Sequence, residues 1–277
     1  MIMVGDRRLS RRGAFRLGLT GLGLAAGLGG PTLLAGCTNG TGADPGPDPY
    51  CVSRGSLSSH GSLRGAPLIY DISEEHLHFW FDDGFYAQLG RWLDDYLDLS
   101  GTERPDQVWT YGSWLDGKPG CRSWHDAGRA VDLSRLVRGG RVQVSARYDI
   151  WQHYTGARLD HFRTRYWSLA ASLHRHFAYV LTYLYNPTHH NHLHVDNGRS
   201  GSKLSSFDSD STSQVQAVQG MLNHIWGHRV DITGRYDRPT RKAADAVLEQ
   251  AGIDGSLDDG DHQWHGFLRA TTVRPWS

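Results

Sequence analysis

Ser123-Trp124-His125-Asp126-Ala127-Gly128-Arg129-Ala130-Val131-Asp132 is the stretch from which the fold can be read, and His192-Leu193-His194-Val195-Asp196 answers it some sixty residues later. Gly128 lets the backbone turn tightly after His125, and Ala130-Val131 begins a short apolar strand that can carry the Asp132 carboxylate back to the same point. Two imidazoles and one carboxylate form a ligand set that holds a zinc ion and leaves a fourth position for water. If the two segments meet in space, they bring such a set to one point, with either histidine of the second segment able to complete it.

Spacing alone does not single this stretch out in a chain with 16 histidines. His followed by Asp seven residues later recurs at His76/Asp83, His153/Asp160, His189/Asp196 and His224/Asp231, and His-x-His at His76/His78, His174/His176 and His190/His192. His174 and His176 fall in an amphipathic helical pattern, where i and i+2 side chains point apart, so they are expected to be solvated or hydrogen-bonded. His76 and His78, beside Glu75, could share one face of a strand, but no glycine-bearing partner segment accompanies them. The stretch from Ser123 alone combines Ser-x-His, a glycine three residues on, a small Ala130 and an Asp in an apolar strand.

The surrounding pattern predicts an α+β domain, a small antiparallel sheet flanked by helices, over residues 51–197. Phe85, Leu89, Trp92 and Tyr96 recur at helical spacing and predict a helix from Gly84 to Leu97. Ala130 to Leu133 and Val142 to Ala146 read as strands across a Gly139-Gly140 turn. Phe162, Tyr166, Leu169, Leu173 and Phe177 mark a second helix, and Tyr179 to Tyr185 reads as a strand ended by Asn186-Pro187. Both halves of the ligand set then lie at or beside strand ends, where a rigid sheet can hold them.

Residues 1–36 read as an export signal. Ser10-Arg11-Arg12-Gly13-Ala14-Phe15 resembles a twin-arginine motif, and Leu34-Ala35-Gly36-Cys37 resembles a bacterial lipobox, which implies a lipid-modified Cys37 and a location on the outer face of the cytoplasmic membrane or in the wall. A plain cleaved signal is the alternative. Residues 37–50 read as a flexible tether. Cys51 and Cys121 suit one disulfide in an oxidising compartment, or two unpaired thiols. A net charge of zero gives no general attraction for nucleic acid, and a monomer is expected.

Residues 198–213, rich in Gly, Ser and Asp, read as a linker to a tail over residues 214–272. Val215, Val218, Leu222 and Ile225 form one amphipathic helix, and Thr240 opens another bearing Ala243, Ala244, Val247 and Leu248. So short a segment suits three small packed helices. Gln214-Val215-Gln216-Ala217-Val218-Gln219, Leu222-Asn223, Thr233-Gly234-Arg235-Tyr236-Asp237, Thr240 and Gly252-Ile253-Asp254-Gly255 with Trp264 resemble the peptidoglycan-binding module of bacterial wall enzymes, with Thr-Gly in place of the module's usual Asp-Gly.

The pattern Ser-x-His-x-x-Gly-x-Ala-x-Asp followed by His-x-His resembles the superfamily of lysostaphin, D-Ala-D-Ala metallopeptidases and hedgehog domains. Asn191-His192-Leu193-His194-Val195-Asp196 is most similar to its extensin-like and murein endopeptidase branches. The resemblance implies that His125, Asp132 and His194 bind Zn2+ with water as fourth ligand, in a zinc peptidase that cleaves stem-peptide or cross-link amides of peptidoglycan, as carboxypeptidase or endopeptidase. The dipeptidase and carboxypeptidase branches place a glutamate base where this chain has Asn191, and the glutamates here are only Glu74, Glu75, Glu103 and Glu249. His192 is then the candidate to handle the proton, with His189 in reserve. Ser123 is a candidate to hydrogen-bond substrate or, equally, to stabilise a turn, and Asp196 to orient a histidine. Arg122 lies closer to the ligand histidine than the family's Cys-Arg pair does, which puts an oxyanion role in doubt. The rival reading is a non-catalytic, zinc-stabilised wall-binding protein.

Overall fold

The computed structural model describes residues 48–116, 120–198 and 200–277. The expected signal, Cys37 and all of the tether before residue 48 lie outside the described residues. In chain order the elements begin with β1 (Ser58–His60), β2 (Ser62–Leu63), β3 (Ala66–Tyr70), β4 (Glu75–His76), β5 (Phe79–Phe81), α1 (Asp83–Ser100) and β6 (Gln107–Gly112). There follow β7 (Ala130–Arg138), β8 (Arg141–Ser145), α2 (Tyr148–Trp151), α3 (Gly156–His176), β9 (Tyr179–Leu181) and β10 (Leu193–Asp196). The last helices are α4 (Thr212–His224), α5 (Arg238–Gln250) and α6 (Asp261–Val273).

An α+β fold results, as the periodicities predict. Its main sheet runs in the order β2-β3-β6-β7-β10-β9, with β4 beside β3 and β8 beside β7, while β1 and β5 pair apart from it. Most pairs are antiparallel; β3 and β6 are parallel, because α1 carries the chain back across the sheet between them. The strand β7 is longer than the apolar run Ala130 to Leu133 predicts, since its second half pairs β8 while its first half pairs β10. The strand predicted from Tyr179 to Tyr185 pairs only to Leu181; Tyr185 N–H instead donates to Thr182 O at 3.0 Å, closing a turn.

Helix α1 starts where Asp82 Oδ1 accepts from Phe85 N–H at 2.9 Å, and ends at Gly101 in the left-handed conformation. Phe85, Leu89, Trp92 and Leu93 of α1 and Leu169 and Leu173 of α3 share one core with Val108, Leu133, Leu136 and Val195 of the sheet. Cys51 and Cys121 are joined by a disulfide that spans 70 residues of sequence. Val52 N–H donates to Asp126 O at 3.0 Å, so the start of the described chain is fastened beside His125.

The described residues fall within one compact unit, which includes the stretch read as a linker. Ser205 within it is buried; its hydroxyl donates to His174 O and accepts from Trp264 Nε1–H at 2.8 Å. The buried residues of α4, α5 and α6 continue the core of α3, and a Cβ on Gly220 would fall 2.2 Å from Trp167. Helix α5 begins at Arg238, two residues before Thr240, because Asp237 Oδ1 accepts from Thr240 N–H at 3.0 Å. Among the described residues no helix is long and apolar enough to cross a membrane.

Candidate metal centre

His125 sits in a single 3-10 turn, Trp124–Ala127, that ends at Gly128. Gly128 has φ +66°, and a Cβ there would lie 2.8 Å from Leu57 and 2.9 Å from the Asp82 backbone nitrogen. Both the left-handed conformation and the close approach require glycine. The chain then enters β7, where Asp132 lies directly opposite His194 of β10 in antiparallel register. Cross-strand partners project from the same face, so pairing alone brings the carboxylate and the second imidazole together.

Three ligand atoms converge. His125 Nε2 lies 3.2 Å from Asp132 Oδ1 and 3.1 Å from His194 Nδ1, and His194 Nδ1 lies 3.1 Å from Asp132 Oδ1. Tetrahedral zinc bound at about 2.0–2.1 Å would set such atoms about 3.3–3.4 Å apart, so the triangle fits with a small outward adjustment. Among the described residues this is the group that could hold a metal ion.

The groups behind the rings decide what the inner nitrogens offer. His125 Nδ1–H donates to Ser113 O at 2.6 Å, and His194 Nε2–H donates to Asp196 Oδ2 at 3.1 Å. Asp196 Oδ1 is itself held by Gly198 N–H at 3.0 Å. With the outer nitrogens committed as donors, neutral rings would present two lone pairs beside the Asp132 carboxylate, a set of acceptors that either a proton or a metal ion can satisfy. Burial opposes a charge on His194, but hydrogen bonds to Asp132 and Asp196 outweigh it and push its pKa up to about 10. Burial likewise opposes charge on Asp132, yet hydrogen bonds from His125 and His194 hold the carboxyl well below its ordinary range. The same field that retains a proton here favours a metal ion, which must displace that proton to bind.

His192 and His189 stand beyond the ligand triangle. His192 Nε2 lies 3.4 Å from Asp132 Oδ1, and its Nδ1 is 2.7 Å from Asn191 Oδ1. Its pKa is lowered, first by burial and then by His194 and His125 against the opposing pull of Asp132. The His189 ring is centred 5.1 Å from that of His192; burial, with His192 and His194, lowers its pKa to about 4. Ser123 Oγ accepts from His125 N–H at 3.2 Å and so caps the ligand-bearing turn. Arg122 is exposed.

His176 pairs with Asp95 at 2.9 Å, whereas His174 is buried with neither ring nitrogen hydrogen-bonded. The expectation that His174 is solvated or bonded therefore does not hold: it packs near Trp264, 6.3 Å between ring centres. His76 Nε2 is bonded to Gly61 O at 2.7 Å and His78 Nδ1 to Ser59 Oγ at 3.4 Å, and neither belongs to the group that could hold a metal ion among the described residues.

Sequence reasoning missed Ser113, Tyr111, Asp71, Arg135 and Arg147. The Tyr111 ring is centred 5.9 Å from that of His192, and burial followed by the Asp71 charge pushes its pKa up to about 12, so it stays protonated. Asp71 Oδ1 accepts from Tyr111 Oη–H at 3.3 Å, Arg135 Nη2–H at 2.9 Å and Arg147 Nη1–H at 2.7 Å. Alternation along β6 could have placed Tyr111 on the face of the sheet that bears Asp132; nothing local points to Asp71 or Arg147. The chain matches no family model, no curated protein and no solved structure.

Proposed function

We propose that this protein is a zinc-dependent peptidase of the bacterial cell wall, cleaving stem-peptide or cross-link amides of peptidoglycan. One observation carries the reading: two anchored imidazoles and a carboxylate converge within 3.2 Å while a third imidazole, His192, stands beside them. The Asp132 side chain is 21% exposed, so water and substrate can reach the group. Bound zinc would lower the pKa of a coordinated water to about 7 and polarise the scissile carbonyl. His192 then takes the proton of the attacking water at Nε2 and returns it to the departing amine. Its lowered pKa keeps it neutral, and thus able to accept, at neutral pH.

The tail supports a wall address. The residues that resemble the peptidoglycan-binding module meet at Gln219: its Oε1 accepts from Thr233 and Gly234 N–H at 2.9 and 3.0 Å, and its Nε2 donates to Arg235 O and Thr240 Oγ1 at 3.1 and 3.0 Å. We assign α4, α5 and α6 to polymer binding, which raises local substrate concentration without supplying chemistry. Export on a twin-arginine signal and a lipid on Cys37 would place the protein between membrane and wall.

Mass spectrometry of muropeptides after incubation with the full-length protein tests the reading. New peptide products should form, vanish with chelator and return with zinc. A product pattern unchanged by chelation would sink the metallopeptidase. Bound zinc with no cleavage of any muropeptide would favour the non-catalytic wall-binding protein instead.

A further inference from the structure

The tail carries an open groove of about 450 Å³, lined by none of the residues of the metal centre. Its floor is one stripe of α6: Gly266, Ala270 and Val273 recur at helical spacing, beside Ala251 and Ile253, which follow α5. A Cβ on Gly266 would stand 2.2 Å from Ile253 Cδ1, so the glycine lets that side chain lie directly against the helix. The charged side chains of the groove are Arg269 and Arg274, both exposed. Arg241 of the same tail is spent on Asp258 at 2.6 Å, whereas neither Arg269 nor Arg274 has a carboxylate partner among the described residues, Ser277 at the rim included. Arg274 is nonetheless held in place. Its guanidinium lies 4.4 Å from the centre of the Trp226 ring, and Trp226 is pinned where its Nε1–H donates to Thr271 Oγ1 at 3.0 Å. Stacking on an indole occupies the face of a guanidinium and leaves its N–H edge free for a carboxylate. Two unpaired cations over an apolar floor call for an anion that carries small apolar groups.

Resting on the assignment of α4, α5 and α6 to the wall polymer, we propose that this groove is the polymer's seat and takes the carboxylate end of an alanine-terminated stem peptide. The carboxylate pairs with Arg269 and Arg274, and the alanine methyls lie on the floor formed by Gly266, Ala270 and Ala251. A neutral glycan offers nothing to the two arginines; a peptide ending in alanine offers both the charge and the methyls. The groove therefore discriminates among stem peptides. One whose terminal carboxylate has been converted to a cross-link amide lacks the anion and is bound less well than one with a free end.

The probe is acetyl-D-alanyl-D-alanine, as the free acid and as its C-terminal amide, titrated into the full-length protein while alanine-methyl NMR is recorded; the peptide's own methyl signals register any cleavage. The free acid should shift the Ala251 and Ala270 methyls and bind roughly 10–100-fold more tightly than the amide, the worth of a charge-assisted hydrogen bond. Arg269→Gln combined with Arg274→Gln should remove that preference. Ala270→Trp, which fills the groove and leaves both arginines in place, should abolish the shift at Ala251. Both variants should keep zinc binding, the sign that the fold survives, and both should be released by purified sacculi that retain wild type. Equal affinity for acid and amide, shifts confined to the surroundings of His125, or variants that bind like wild type would overturn the proposal. A wild-type protein that ignores sacculi would instead defeat the wall-binding reading, while the peptide titration still decides the groove.

Discussion

His125, His192 and His194 around β7 and β10 and His76 and His78 around β4 and β5 are two histidine clusters of similar density and opposite chemistry. In the first, every ring gives its outer nitrogen to a fixed acceptor, Ser113 O, Asn191 Oδ1 or Asp196 Oδ2, and turns its inner nitrogen toward one carboxylate. In the second, His76 spends a nitrogen on the Gly61 carbonyl and His78 is bonded to Ser59. The neighbouring Glu74 and Glu75 are exposed, and the two rings stand 5.9 Å apart. Histidine count does not make a metal site. Acceptors behind the rings and a carboxylate in front of them do.

Asp132 is where the comparison breaks most readily. Asp132→Asn keeps the shape and removes the only ligand charge from the triangle, so zinc affinity should fall by more than about 100-fold, beyond the usual cost of losing an outer partner. Asp196→Asn removes such an outer partner of His194 and should cost roughly 10–100-fold. Competition with a chromophoric chelator ranks the two. Equal losses would mean that the carboxylate in front of the rings has no special standing.

His174 offers a sharper control, a histidine with neither acceptor nor carboxylate. Burial alone lowers its pKa to about 3. The unfolded chain, with an ordinary histidine near 6.5, binds that proton more tightly than the fold does. The fold is therefore fully stable with respect to this group above about pH 6.5 and loses about 1.4 kcal/mol per pH unit as pH falls from there toward 3. Substituting His174→Leu removes the titration and the two unpaired nitrogens. Urea unfolding of both proteins at pH 7 and pH 5 should show the variant gaining about 2 kcal/mol on wild type at the lower pH. Parallel losses in the two proteins would show that His174 finds a partner in solution.

These contrasts also mark what a sequence reader can see. His125, Asp132 and His194 were legible because a left-handed glycine and a small residue frame them, and strand pairing then set Asp132 opposite His194. Helices α1 and α3 were legible from apolar recurrence, a local property. Asp71 and Arg147 were not, because they come to Tyr111 from just after β3 and just before α2, and their meeting depends on how distant parts of the chain are brought together. The packing of Ser205 was hidden for a related reason. Gly, Ser and Asp report what an isolated chain would expose to water, whereas the Ser205 hydroxyl bridges His174 and Trp264 inside the core.

The smallest expected effect tests the comparison from its quiet side. His76→Gln combined with His78→Gln deletes two of the 16 histidines in the chain while leaving amide groups that can remake the bonds to Gly61 and Ser59. Both side chains are exposed, so stability should change by no more than about 0.5 kcal/mol. If zinc binding followed histidine density, the double variant would bind measurably less. If it follows the anchored triangle, the zinc titration should superimpose on that of wild type, with one ion per chain, while His125→Gln with His194→Gln abolishes it. A double variant at His76 and His78 that lost zinc would place a ligand in the exposed cluster and undo the distinction between the two.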